Sequence, residues 1–141
     1  MAEAGVSGWV TRCIAQGRRG NAECVAEQNV TLTRTGQVAL IVAVRVPAEG
    51  QAPTLAIRLP HGLALAAGAK LRLDQNFSLD LPIQTCDASG CFVTAPNATD
   101  LVNRMRAAKQ LLVVVRNAST NQDMTLGMTL DGFPAAHDRV K

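Results

Sequence analysis

Residues 38–59, VALIVAVRVPAEGQAPTLAIRL, decide the fold class because they contain two strand patterns separated by a loop. Val38–Val46 is almost wholly apolar, which is typical of a central strand covered on both faces. Pro47–Pro53 has the composition of a loop. In Leu55–Leu59, large apolar residues alternate with alanine and arginine, as in a strand with one face turned to a core. The stretch therefore predicts strands rather than helices.

The same alternation recurs on both sides of this stretch. Turns such as Thr35–Gln37 and Pro60–Gly62 interrupt it at short intervals. The further strands predicted in this way are Val30–Arg34, Leu63–Leu65, Lys70–Asp74, Phe77–Leu81, Leu111–Val115 and Met124–Leu130. Many short strands with close turns are typical of an antiparallel sandwich or barrel.

One segment, Thr99–Gln110, breaks the alternation. Leu101, Val102, Met105 and Ala108 recur there at helical spacing, which predicts a helix of about three turns. We therefore predict a mainly β fold, an antiparallel two-sheet β-sandwich or flattened barrel with one short α-helix at about residues 99–110. The 141 residues suit a single domain covering residues 1–141.

The composition argues against several classes of protein. The net charge is +3, and the aromatic residues are one Trp and three Phe. A surface that binds nucleic acid concentrates Lys and Arg and interleaves aromatic side chains, so no nucleic-acid partner is predicted. No apolar run reaches the roughly 18 to 20 residues that span a bilayer, so the chain is not predicted to cross a membrane. The first residues show no charged region followed by an apolar run, the pattern of a signal peptide.

The four cysteines form two close pairs in the sequence, Cys13 with Cys24 and Cys86 with Cys91. A thioredoxin-type redox centre has two residues between its cysteines and lies at a helix start, whereas residues 87–90 separate the second pair. Zinc sites use short cysteine knuckles, and ten residues separate the first pair. The spacing favours two local disulfides, because Ser89-Gly90 lets the chain reverse. A zinc site and a redox centre are the alternatives.

Neither histidine lies in a recognisable catalytic motif. His61 stands between Pro60 and Gly62 in a predicted turn, and His137 follows Pro134 in a polar tail, so both are predicted to be solvated loop residues. The sequence contains no nucleophile elbow, phosphate-binding loop, dinucleotide fingerprint or H-E-x-x-H motif. We therefore predict no catalytic residues, no cofactor and no metal ion, and a protein that is not an enzyme.

Arg45, Arg58 and Arg72 are the candidates for a binding surface. Alternation places each of them opposite the main apolar residues of its strand. If the three strands share a sheet, the guanidinium groups converge into an anion-binding patch. The alternative is a solvated face balanced by Asp80 and Asp131.

Several features occur together in an order that resembles the invasion-associated locus B family of small bacterial envelope proteins. They are Gly8-Trp9 with Cys13 and Cys24 near the start, LAIRLPHGLALAAGAKLRLD at 55–74, CDASGCFV at 86–93, LVNRMRAAKQ at 101–110 and LGMTLDGFPAA at 126–136. The resemblance covers nearly the whole chain, and its most specific parts are the second cysteine pair and LDGF at 130–133. It implies export from a precursor with a signal peptide and, by the family's name, a link to host-cell invasion. It supplies no catalytic residues.

These observations lead to one leading function and two alternatives. We expect a non-enzymatic interaction module, periplasmic or secreted, that binds a protein partner or a component of the envelope or host surface. The first alternative is a binder of a small anionic or lipidic ligand, held between the sheets or on the arginine face. The second alternative is a thiol oxidoreductase.

Overall fold

The computed structural model describes residues 4–6, 9–16, 21–32, 38–47, 52–74, 77–88 and 90–140. The strands in these ranges are β1 (Ala4–Val6), β2 (Val10–Gln16), β3 (Asn21–Leu32), β4 (Val38–Val46), β5 (Thr54–Leu59), β6 (Ala69–Asp74), β7 (Phe77–Leu81), β8 (Thr85–Asp87), β9 (Gly90–Ala95), β10 (Gln110–Arg116) and β11 (Asp123–Thr129). The α-helices are α1 (Thr99–Ala107) and α2 (Phe133–Val140).

The strands form two sheets. The seven-stranded sheet has the order β1-β3-β4-β5-β9-β8, and β2 also pairs with β3. The four-stranded sheet has the order β11-β10-β6-β7. Every strand pairing is antiparallel. The prediction of a mainly β fold with two antiparallel sheets is therefore confirmed.

Alternation of side chains builds one core that both sheets share. Leu55, Ile57 and Leu59 of β5 are at most 2% exposed, and the alternate residues of Leu111–Val115 in β10 are equally buried. Burial of each such side chain stabilises the fold by roughly 1.5 to 3 kcal/mol. The period-two pattern of Leu55–Leu59 therefore indicates correctly which side of β5 faces the core, whereas Leu111–Val115 is apolar throughout and only the structure shows its buried side.

Strand β4 has the predicted bounds but is covered differently from the prediction. Leu40, Val42 and Val44 are fully buried in the core. On the other face Ala43 is 8% exposed, Ile41 is half-buried and Arg45 is exposed. The prediction that both faces are covered therefore holds at Ala43, in the middle of the strand, and fails at Arg45.

The described residues contain two α-helices where the sequence predicted one. Helix α1 ends at Ala107 instead of at residue 110, because β10 begins at Gln110 and takes up the chain. Helix α2 replaces the predicted polar tail, and it buries Phe133, Ala136 and His137. With Val140, these residues recur at positions i, i+3, i+4 and i+7, so the helical signal was present in the sequence.

Two other local predictions need correction. Leu63–Leu65 is not a strand, since Leu63 makes an isolated bridge to Asn117 and residues 65–67 form a 3-10 turn. The predicted strand Val30–Arg34 corresponds to the end of a longer strand, β3, while Thr33–Gln37, including the predicted turn, lie outside the described residues.

Candidate functional site

Two disulfides join neighbouring strands of the seven-stranded sheet. The first disulfide, Cys13–Cys24, links directly opposed residues of β2 and β3, and the second disulfide, Cys86–Cys91, links directly opposed residues of β8 and β9. Each bridges Cα atoms 4.0 Å apart. These are the pairs that the sequence indicates. All four cysteines are paired, which leaves no thiolate to bind zinc.

The structure does not bring the three candidate arginines together. Arg45 of β4 and Arg58 of β5 lie on the outer face of the seven-stranded sheet, but Arg58 pairs with Ile41, four residues from Arg45. At a rise of about 3.3 Å per residue, this separates them by roughly 13 Å along the strand. Arg72 lies on β6 of the other sheet. The condition for a single convergent patch is therefore not met, because Arg72 lies in a different sheet from Arg45 and Arg58.

The two arginines of the larger sheet have different surroundings. Arg45 lines a pocket of about 240 Å³ that also contains Arg12, Glu23 and Glu27. Arg12 forms an ion pair with Glu27 at 3.5 Å. The stem of Arg58 lies close to Gly90, where an added Cβ would stand 3.3 Å from the Arg58 Cγ. The face around Arg45 thus carries charge of both signs.

A larger concave site lies where the two helices meet the end of the four-stranded sheet. This helix-junction groove has a volume of about 710 Å³. Its walls are formed by Arg106, Ala108, Lys109, Thr129, Leu130, Asp131, Gly132, Pro134 and Ala135. All of these residues belong to two stretches, 101–110 and 126–136, which are among those that carry the family resemblance. The fold therefore joins two distant parts of the sequence into one surface.

Main-chain hydrogen bonds hold the floor of the groove. The Leu130 N–H donates to the Lys109 carbonyl at 2.9 Å, and the Phe133 N–H donates to the Leu130 carbonyl at 2.9 Å. Gly132, between them, has a φ of 86°, in the left-handed region that favours glycine. Behind this turn the Phe133 ring is fully buried, with its centroid 4.8 Å from that of Trp9. Trp9 is itself partly buried and contacts the core, so the groove is built on a packed base.

Arg106 ties the two helices together beside the groove. Its Nη1 donates to the Pro134 carbonyl at 3.2 Å and to the Asp138 Oδ1 at 2.9 Å, and it lies 2.9 Å from the His137 Nδ1. Because Nη1 carries two hydrogens, the three contacts share its two donors, and His137 Nδ1 can take part only as an acceptor. The His137 ring also stacks on Phe133 at 5.7 Å.

The two histidines therefore have different environments. His137 is 9% exposed, so the prediction of a solvated loop residue is wrong, and its place in the buried face of α2 is the reason. His61 is exposed, as predicted, and its Nε2 contacts the Asp87 carbonyl. The sequence signal for His137 was its spacing of four residues from Phe133.

The charges at the mouth of the groove are of both signs. Lys109 and Asp131 are exposed, and no ion pair is found for either among the described residues. In the same part of the chain, no cluster of three or more His, Cys, Asp or Glu side chains could hold a metal ion. None of the described helices has the length and apolar character needed to cross a membrane.

The paired cysteines, the two antiparallel sheets and the open groove define a small disulfide-bonded β protein with a concave surface at its helix junction. The family model described as invasion associated locus B (IalB) protein matches residues 9–141, and the chain belongs to this family. Two proteins named invasion protein B homologs, both from Brucella abortus, are each 29% identical over 133 residues, which cover 94% of this chain and 75% of the relative.

A solved structure has the same fold. The crystal structure of invasion associated protein B from Bartonella henselae superposes with a TM-score of 0.79 and covers 94% of this chain and 89% of its own. Its sequence identity is 22%, so this likeness concerns the fold.

Proposed function

We propose that this protein is a non-enzymatic, exported interaction module, periplasmic or secreted, and that its helix-junction groove binds a protein partner. The observation that carries the proposal is the origin of the groove, whose walls come entirely from the stretches 101–110 and 126–136. A link to host-cell invasion or to envelope function is part of the proposal, since both relatives and the matching family are named for invasion.

The disulfides support export. Disulfides persist in oxidising compartments such as the periplasm or the extracellular space and are rare in the cytosol. Here each of them links opposed residues of adjacent strands, and one of them fastens β8, a strand of three residues, to β9. Such bridges stabilise a small domain where no cytosolic chaperone is present, chiefly by restricting the unfolded chain.

The chemistry of the groove suits a polypeptide partner. Lys109 and Asp131 offer exposed charges of opposite sign, while Pro134 and Ala135 offer apolar surface in the same groove. A polypeptide segment can present both charges and an apolar side chain at once, whereas a simple anion would meet Asp131. Complementary charges at such a rim raise the association rate and select the partner.

The experiment is site-specific photo-crosslinking. A photoreactive amino acid is placed at Ala135 in the groove and, as a matched control, at Ala66, another exposed alanine, in the 3-10 turn. Each protein is incubated with bacterial envelope extract and with host-cell surface extract, and crosslinked proteins are identified by mass spectrometry. We expect a partner that crosslinks at Ala135 and not at Ala66.

Charge reversal then tests whether the groove makes the contact. Lys109→Glu should weaken binding of that partner by at least about tenfold, and the same substitution at the exposed Lys70 on the four-stranded sheet should not. Equal crosslinking at both alanines, or equal loss of binding for both lysine variants, would refute the groove as the binding surface.

A further inference from the structure

Strand β11 is a regular edge strand of the four-stranded sheet. It ends the four-stranded sheet and pairs with β10 without a register shift, from Asp123 opposite Arg116 to Thr129 opposite Gln110. Among the described residues, no further strand pairs with its outer side. An edge strand of this kind presents a row of backbone N–H and C=O groups that another strand can bind.

The other edges of the two sheets are protected. Strand β7 carries Asp80, and Pro82 comes directly after it. Its pairing with β6 has a register shift between Arg72 and Asp74. Strands β1 and β8 have three residues each. Strand β2 carries Arg12 and is bonded to β3 by the first disulfide. Charge, irregularity, proline and short length are the features by which proteins prevent pairing at edges, and in β11 only the first residue, Asp123, is charged.

The side chains of β11 also favour a further strand. Met124 and Leu126 point to the core side and are partly buried, and Met128 beyond them is 3% exposed. On the outer face Gly127 is exposed. A Cβ at Gly127 would stand 3.3 Å from the Cδ2 of Leu112, its partner on β10, so the glycine accommodates that side chain within the chain's own sheet.

We propose that β11 is the contact edge of a symmetric dimer, in which the β11 strands of two copies of this chain pair antiparallel about Leu126. In this register Leu126 faces its own copy, Met124 faces Met128, and Thr125 faces Gly127. The apolar stripe on the core side then continues across the dimer, and the two four-stranded sheets become one sheet of eight strands.

A second copy fits this edge because β11 is self-complementary. Residues 124–129 carry no charge, so antiparallel pairing brings no like charges together. The one charged residue, Asp123, faces Thr129 and already forms an ion pair with Arg116 of its own chain at 3.1 Å. Two-fold symmetric contacts of this kind are the commonest among soluble oligomers.

The test measures the dimer directly. The molar mass of the purified, disulfide-intact protein is followed by sedimentation equilibrium over a wide range of concentrations, for wild type and for Thr125→Lys and Thr125→Glu. In the dimer the two introduced charges are diagonal neighbours, about 7 to 8 Å apart, and repel each other whatever their sign. We expect a concentration-dependent dimer in wild type and a dissociation constant at least about tenfold higher in both variants.

Ser78→Lys and Ser78→Glu are the matched controls, since Ser78 is exposed on β7, the opposite edge of the same sheet. They should leave the dimer unchanged, and hydrogen exchange should show protection of β11 amides on dimerisation. A wild-type monomer at every concentration would overturn the proposal. So would a dimer that both Thr125 variants keep, or one whose protected amides lie elsewhere. The groove proposal is tested separately by Lys109→Glu, so either proposal can fail alone.

Discussion

Replacing Gln28 with methionine should increase the free energy of unfolding. Gln28 is 1% exposed on β3, and neither its Nε2 nor its Oε1 has a hydrogen-bond partner in the part of the chain that the structure describes. A buried polar group without a partner costs about 1 to 3 kcal/mol, because it has lost its bonds to water and gained none in the protein. Methionine has nearly the same length and shape, so it removes the polar atoms and fills the same space.

The expected gain is about 1 to 2 kcal/mol, at the lower end of that range because the native state relaxes and the unfolded state retains some structure. For a chain of this size, each 1 kcal/mol shifts the melting temperature by roughly 2 to 8 °C. The measurement is urea denaturation followed by circular dichroism, with the slope m compared between variants to verify that the unfolded state is unchanged.

Gln110→Met is the matched control. Gln110 is exposed at the start of β10, so this variant should stay within about 0.5 kcal/mol of wild type. The reasoning fails if Gln28→Met lowers the stability by more than about 1 kcal/mol while the control does not change. That result would mean that the Gln28 amide is hydrogen-bonded in solution, for example to an enclosed water molecule.

Three further predictions concern stability. Replacing both cysteines of the second disulfide with serine should lower the free energy of unfolding by about 2 kcal/mol, from loop-closure entropy. The same change at the first disulfide, whose loop is longer, should lower it by about 3 kcal/mol. Calorimetry of the two variants measures both losses, and the reverse order would contradict this account. Trp9→Ala should lower the free energy of unfolding by about 3 to 5 kcal/mol, because Trp9 packs on Phe133 and on the core. A loss below about 1 kcal/mol in urea denaturation would show that this packing contributes little. Gly132→Ala should lower the free energy of unfolding by about 1 to 2 kcal/mol, because alanine is strained at a φ of 86°. Thermal melting measures the loss, and an unchanged melting temperature would mean that the turn adopts another conformation.

The sequence indicated the disulfides but only part of the groove. Cys13 and Cys24, like Cys86 and Cys91, are close along the chain and stand directly opposite each other on paired strands, so spacing alone was informative. The groove was not predicted. Its Arg106 was assigned to a helix and its Asp131 to a solvated face, and no local pattern indicates that these two residues line one cavity.

Local periodicity determined which segments form strands and which side of each strand faces the core, because burial on a pleated strand repeats every two residues. Leu55–Leu59 is an example in which the predicted side is the buried side. The tertiary structure decided the distribution of the strands between the two sheets, which depends on pairings between residues far apart in sequence. That distribution separates Arg72 from Arg45 and Arg58 and joins residues 106–109 to residues 129–135 at one groove. An alternating pattern carries no information about the identity of the neighbouring strand, since any strand with one apolar side satisfies it equally well.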